Sequence, residues 1–133
     1  MIKLFTQTSC NSSRKARQWL RDHEVQFEEQ NMTKVAPTPA ELKHILSLTE
    51  NGIDDIISTR SRAYPKIAAQ LPNMSLNDTL AMLCAEPRLL RRPIIVDAHK
   101  VQIGFNDDEI RQFVPRHIRR LEFMQAMIDA AEI

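Results

Sequence analysis

Apolar positions along this chain change their period from about two to about three and a half and back. Residues 2 to 5 of "MIKLFTQTSC" alternate weakly and run into the turn Thr6-Gln7-Thr8-Ser9, which predicts a strand. From Asn11 onward Ala16, Trp19 and Leu20 recur at helical spacing, and Val25 and Phe27 open a second strand. A strand, a helix and a strand within about 30 residues form a βαβ unit, so the two strands should lie parallel.

The proline-bearing "KVAPTPAEL" breaks that pattern. Thr38-Pro39-Ala40-Glu41 is a capping box with proline at the first helical position, and it predicts a helix whose inner stripe is Leu42, Ile45, Leu46 and Thr49. Gly52, after Asn51, is expected to end that helix. Short helices should follow at "IDDIIS", at "RAYPKIAAQL" and at "SLNDTLAMLCA", the last capped by Ser75. Residues 36–86 therefore read as a helical lobe with its own small core. "RRPIIVDAHKVQIGF" reads as a β-hairpin, with Ile94, Ile95 and Val96 in one arm and Val101 and Ile103 in the other. Asn106 and Glu109 should cap a further helix with Ile110, Phe113 and Val114 on its apolar face and Pro115 at its close. The tail places Ile118, Leu121, Gln125 and Ile128 at helical spacing, with Arg116, Arg119 and Arg120 between them.

In order, these elements predict an α/β fold with a thioredoxin-like mixed sheet and an inserted helical lobe. Residues 1–35 and 87–115 form the discontinuous core, 36–86 the lobe and 116–133 a helical tail. The length of 133 residues fits one compact domain with a small insertion.

Eighteen basic against 17 acidic residues leave no net field to draw the protein to DNA or to an anionic membrane. Nucleic acid, if involved, is reached through another protein. No stretch has the roughly 18 consecutive apolar residues of a membrane span, and the N-terminus lacks the core of a signal peptide, which makes the cytoplasm the expected location. His23, His44, His99 and His117 are scattered without nearby cysteine pairs, so no metal site is expected and no cofactor is assigned.

The candidate chemistry centres on Cys10. A thiol at the start of a helix faces unpaired backbone N–H groups and the positive end of the macrodipole, which favour the thiolate. Arg14, Lys15 and Arg17 are expected to lower its pKa further. It reads either as a reactive thiol or as a structural cysteine at a turn. Ser13 stands where a second cysteine would complete Cys-x-x-Cys, so a local disulfide cannot close. A monothiol remains, able to form a mixed disulfide, a sulfenic acid or a bond to Cys84 if the fold brings the two together. Cys84 itself is expected to pack beside Leu80 and Leu83 as a small hydrophobe.

Four blocks in register carry a resemblance over nearly the whole chain: "SCNSSRKARQWL", "LTENGIDDIISTRS", "LLRRPIIVD" and "VQIGFNDDEIRQFVPR". Together they resemble the Spx branch of the ArsC (arsenate reductase-like) family. The resemblance implies a regulator that binds the C-terminal domain of the RNA polymerase α subunit and redirects transcription under thiol or oxidative stress. It places Gly52 on the polymerase-binding surface, although a plain helix stop accounts equally for a glycine there. Arg92 is implied to respond to the redox state of the cysteine turn, with Ser13 a departure from the usual dithiol switch.

The enzymatic relatives implied by the same resemblance hold arsenate with the cysteine and three arginines. Arg60 and Arg92 match two of these, while Gly104 and Phe105 stand where the third is expected. An arsenate reductase or monothiol oxidoreductase using Cys10 as nucleophile, with Arg60 and Arg92 as oxyanion ligands, is therefore the alternative function. Arg60 and Arg92 are otherwise surface salt-bridging residues. The thioredoxin-like pattern also implies a cis Arg92-Pro93 bond beside the thiol. The tail either docks on the core or awaits a partner, and its last residues, "DAAEI", are a candidate recognition point for a protease or adaptor.

Overall fold

The computed structural model describes residues 1–131, so that Glu132 and Ile133, which end the "DAAEI" segment, lie outside the described residues. The chain forms β1 (Ile2–Thr6), α1 (Asn11–Asp22), β2 (Phe27–Asn31), α2 (Pro39–Ser47), α3 (Ile53–Ile56), α4 (Tyr64–Ile67), α5 (Leu76–Ala85), β3 (Ile94–Val96), β4 (Val101–Ile103) and α6 (Arg116–Ala131). The four strands make one mixed sheet in the order β2-β1-β3-β4. β1 and β2 are parallel with Leu4 opposite Glu29, as a right-handed crossover through α1 requires. β3 runs antiparallel to β1, with Leu4 opposite Ile95, and pairs with β4 as the expected hairpin.

Successive side chains of a strand point to opposite faces, and here both faces are covered. Leu4 and Ile95 point to α1 and, with Ala16, Leu20, Val25, Ile110, Phe113 and Val114, form one core. Phe5, Ile94 and Val96 point the other way and pack with Leu42, Ile45, Ile56, Leu80 and Leu83 of the lobe. The lobe thus has no core of its own: its apolar residues share one with the second face of the sheet. Short helices of four residues cannot bury enough surface to stand alone, which is why the expected separate core does not form. An isolated bridge between Ile57 and Leu90 ties the lobe to the segment entering β3.

Local chemistry accounts for most of the boundaries. Thr38 accepts from the Glu41 N–H while the Glu41 carboxylate accepts from the Thr38 N–H, and Ser75 accepts from the Asp78 N–H, so both expected caps are present. The expected helix at "RAYPKIAAQL" is only one turn, α4, followed by a 3₁₀ turn at Leu71–Asn73. The helix expected after Asn106 is likewise a 3₁₀ segment, Glu109–Phe113, although the Asn106 side chain does accept from the Asp108 and Glu109 N–H groups.

Two expectations are corrected more sharply. α2 ends at Ser47, and Gly52 does not close it; Gly52 caps the start of α3 at φ +68° and ψ −130°. The Thr49 hydroxyl, expected on the inner stripe of α2, instead donates to the Leu46 carbonyl and accepts from the Gly52 N–H. The tail is helical as expected, but among its described residues only Ile118 packs against the core, while Leu121 and Ile128 remain 61% and 51% exposed. α6 is held instead by Glu122, whose carboxylate faces His23 and Arg111, each at 3.8 Å.

The contrast between these leucines gives a stability test. Leu83→Ala, in the shared core, should lower the urea unfolding free energy by about 2–5 kcal/mol. Leu121→Ala should change it by no more than about 0.5 kcal/mol.

Candidate functional site

Cys10 occupies the N-cap of α1 with extended backbone (φ −106°, ψ 115°), the position where an oxygen-bearing side chain usually meets the first helical N–H groups. Ser9, at φ +59°, turns the chain sharply out of β1 and into that cap. Cys10 makes no cap hydrogen bond through its side chain, but the Ser13 hydroxyl and the N–H groups of Ser13 and Ser12 lie near enough to favour the ionised sulfur, and Arg92 adds its positive charge. Burial opposes ionisation and is the largest single influence, but these polar groups and Arg92 together outweigh it, so the thiol lies below its ordinary pKa.

The cations responsible are not those expected from the sequence. Arg14 is hydrogen-bonded to Asn11, and Arg17 makes two hydrogen bonds to the Glu29 carboxylate, at 2.6 and 2.7 Å, clamping α1 to β2. Neither these two nor the exposed Lys15 is among the main influences on Cys10. Of these cations only Arg17 is paired with a carboxylate among the described residues, that of Glu29.

Two clefts meet at the sulfur. One, of about 650 Å³, is lined by Cys10, Gln7, Arg60, Arg62, Arg88 and Arg92 among others. The second, of about 440 Å³, is lined by Cys10, Ser58, Arg60, Arg91, Arg92 and Gly104 among others. Arg60, from the loop between α3 and α4, and Arg92, from the segment entering β3, both line the two clefts together with Cys10. The Arg92-Pro93 peptide bond between the lobe and β3 is cis, as expected. No carboxylate lines either cleft among the described residues. Arg88 is drawn back by Glu86 at 2.7 Å, whereas Arg60, Arg62 and Arg92 have no carboxylate within 4 Å among the described residues. Guanidinium groups facing a concave, acid-free surface suit a tetrahedral or carboxylate anion.

Gly104 lies in the second cleft, at φ +82°, and Phe105 packs into the core beside α1, so the third arginine of the enzymatic pattern has no counterpart at that strand. Arg91 lies on the same wall instead, its Nε donating to the Ile57 carbonyl at 3.2 Å. Arg62, Arg88, Arg91 and Gln7 were not singled out from the sequence. The "RR" pair before Pro93 was the available signal for Arg91; a neutral glutamine in a turn offers none.

Cys84 is partly buried against the core that the lobe shares with the sheet, and both burial and the nearby Glu41 push its thiol above the ordinary pKa. Both cysteines are free, and Cys84 is not among the residues around Cys10. Gly52 lies outside both clefts. The turn it belongs to is built by side chains: the Asn51 N–H donates to Asp55 at 2.9 Å and the Gly52 N–H to Thr49 at 3.2 Å. A Cβ added to Gly52 would meet nothing within 4 Å, so the glycine answers to backbone conformation and not to crowding. Among the described residues no group of His, Cys, Asp or Glu is arranged to hold a metal ion.

The opposite pKa displacements order the two thiols. Alkylation with iodoacetamide, followed by mass spectrometry across a pH series, should show Cys10 modified first, with its midpoint below and that of Cys84 above that of a free thiol.

The ArsC family profile matches residues 5–113. The chain is 51% identical over 130 residues to the "Global transcriptional regulator Spx" of Streptococcus pneumoniae strain R6, covering 98% of each chain. It is 49% identical over 127 residues to the "Global transcriptional regulator Spx 1" of Lactococcus lactis subsp. lactis strain IL1403, covering 96% of this chain and 99% of that one. Among solved structures, the arsenate reductase of Vibrio cholerae superposes with a TM-score of 0.75 over 84% of this chain and 96% of its own, at 18% identity, a likeness of fold alone. With its cysteine at the head of α1, its cis-proline strand and these matches along nearly its full length, the chain belongs to the Spx branch of the ArsC family.

Proposed function

We propose that this protein is a transcriptional regulator of the Spx type that acts by contact with RNA polymerase. It binds the C-terminal domain of the α subunit through the turn around Gly52, and it works in the cytoplasm. The observation that carries the reading is the near-complete match, at about half identity, to two proteins named global transcriptional regulators. A formal net charge of +1 supports a protein partner over free DNA. Among the described residues no helix is long and apolar enough to cross a membrane.

Cys10 is the redox thiol of this regulator. With Ser13 in place of a second cysteine, an oxidised Cys10 is released by a thiol from outside the turn and not by its neighbour. Arg60 and Arg92 hold the anionic part of whatever occupies the cleft. The exposed apolar side chains of α6, with Phe123 and Met127 at 66% and 58%, offer a handle for a protease or adaptor.

The enzymatic reading has a specific observation in its favour, the thiol and guanidinium groups sharing an acid-free cleft, but it lacks the third clamp on the oxyanion. Cys10-dependent reduction of arsenate by the purified protein with a thiol donor would favour it; the regulator reading expects none above the rate with Cys10→Ser.

Binding to the isolated α C-terminal domain tests the main reading. Gly52→Ala and Gly52→Arg both force a side chain into a conformation that glycine alone adopts readily, at a cost of about 1–3 kcal/mol in stability. Only arginine adds bulk and charge to the surface. In calorimetric titrations of folded protein, Gly52→Arg should weaken binding by on the order of tenfold or more, while Gly52→Ala stays near wild type. Equal affinity for all three would remove Gly52 from the interface.

A further inference from the structure

Gln7 lies in the turn between β1 and α1, is 8% exposed, and directs each of its polar groups to a different part of the molecule. Its backbone N–H donates to the Ser13 hydroxyl oxygen at 3.4 Å, inside the Cys10 turn. Its carboxamide Nε2 donates to the Pro87 carbonyl at 2.8 Å, where the lobe ends. Its Oε1 accepts from Arg92 Nη1 at 2.8 Å, beside the cis-proline strand.

These contacts settle the orientation of the amide. Once the Pro87 carbonyl has taken the amide donor, the oxygen must face Arg92; the flipped amide would set NH₂ against a guanidinium and oxygen against oxygen. Arg92 meets no carboxylate within 4 Å among the described residues. A glutamate at position 7 would grip Arg92 as well or better, yet it would cancel the positive charge at the sulfur. Glutamine gives the hydrogen bond and leaves that charge whole.

We propose that Gln7 is the positioning residue of the Cys10 site, a neutral acceptor that aims Arg92 at the thiol and fastens it to the end of the helical lobe. It touches no reacting atom and acts through Arg92. The proposal rests on Cys10 being the working thiol. It adds that the field at that thiol depends on a neutral hydrogen bond made from the same turn, and that any reorientation of Arg92 releases or strains the link to Pro87.

The charged groups around the sulfur are Arg60, Arg91 and Arg92 in the walls of the clefts, with Arg62 and the Glu86-paired Arg88 further along. On α1, Arg14 is engaged by Asn11 and Arg17 by Glu29. Substitutions at Gln7 alter only the Arg92 contribution among these.

The test uses the full chain with Cys84→Ala, so that one thiol reports, and follows the pH dependence of iodoacetamide alkylation. Gln7→Glu, which keeps the shape and the bond to Arg92 but loses the donor to Pro87 and adds a negative charge, and Gln7→Met, which keeps the length but loses the amide, should each move the Cys10 midpoint up. An upward move of half a pH unit would cut the thiolate population at pH below the midpoint by about threefold. In an Arg92→Gln background Gln7→Met should leave the midpoint where Arg92→Gln alone puts it, whereas the carboxylate of Gln7→Glu still acts on the thiol directly. Thermal unfolding confirms that each variant is folded. An unchanged midpoint in folded Gln7→Met overturns the proposal, and so does a full Gln7→Met shift that persists without Arg92. If Gln7→Met loses its fold, Gln7→Ala takes its place; loss of fold in both would make Gln7 a packing residue and overturn it too. An ordinary midpoint in the unsubstituted protein would instead refute Cys10 as the working thiol, which keeps the two failures distinct.

Discussion

Negative charge on one sulfur is the condition that the rest of this structure serves. Burial of Cys10 works against that charge and is the largest single influence on it. The opposing contributions are each smaller: the Ser13 hydroxyl, the N–H groups at the head of α1, and the guanidinium of Arg92. Their sum prevails only because the fold places all of them at once. α1 must start at residue 11 and not a turn later, and the chain entering β3 must pass beside that start with Arg92 facing it. The parallel pairing of β1 with β2 and the antiparallel pairing of β1 with β3 meet those two requirements together, since β1 leads directly into the turn and β3 lies alongside it.

The same pairings explain why the lobe is not a separate unit. Phe5 and Ile94 are adjacent across the β1-β3 ladder and both point away from α1, so an uncovered lobe side would leave the centre of the sheet wet. The lobe covers it, and the Ile57-Leu90 bridge joins the segment after α3 to the residues just before Arg92. Gly52 opens α3 at one end, and the contact to β3 lies just past the other. The candidate partner surface and the thiol are therefore attached to the same short stretch of chain, Leu90 to Pro93, from its two sides. Ser13 shapes what this arrangement can sense. In place of a thiol that would close a disulfide, it offers a hydroxyl that favours ionisation of Cys10.

Much of this was legible in the residues because the signals are local. The capping box at Thr38 and Glu41, the serine before α5, the βαβ spacing and the hairpin around Asp97 each depend on a few neighbouring residues, and each appears in the structure. Cys10 at a helix start followed from the same kind of pattern, whereas the cis Arg92-Pro93 bond followed from the resemblance to a thioredoxin-like fold. What failed depended on competition or on distance. Arg14 and Arg17 were nearest in sequence, but Asn11 and Glu29 claimed them. Gly52 sat where either a helix end or a helix start would use it, and the side chains of Thr49 and Asp55 decided for the start. The apolar stripe of α6 is real, yet the core is already filled by Ile110, Phe113 and Val114, leaving room for Ile118 alone. Gln7 had no signal at all, because its meaning lies in partners 80 and 85 residues away.

If the fold creates the thiolate, the ionisation of Cys10 and the stability of the protein are linked. A folded-state pKa held below the unfolded one gives stability that is fully present above the unfolded pKa and is lost as pH falls through the folded value. The direct measurement is the ultraviolet absorbance of the thiolate, titrated in the Cys84→Ala protein, once in buffer and once in denaturing urea. The account predicts a midpoint in buffer clearly below that in urea, with the difference matched by a rise in unfolding free energy across the same pH interval. Coincident midpoints, or a lower one in urea, would contradict it.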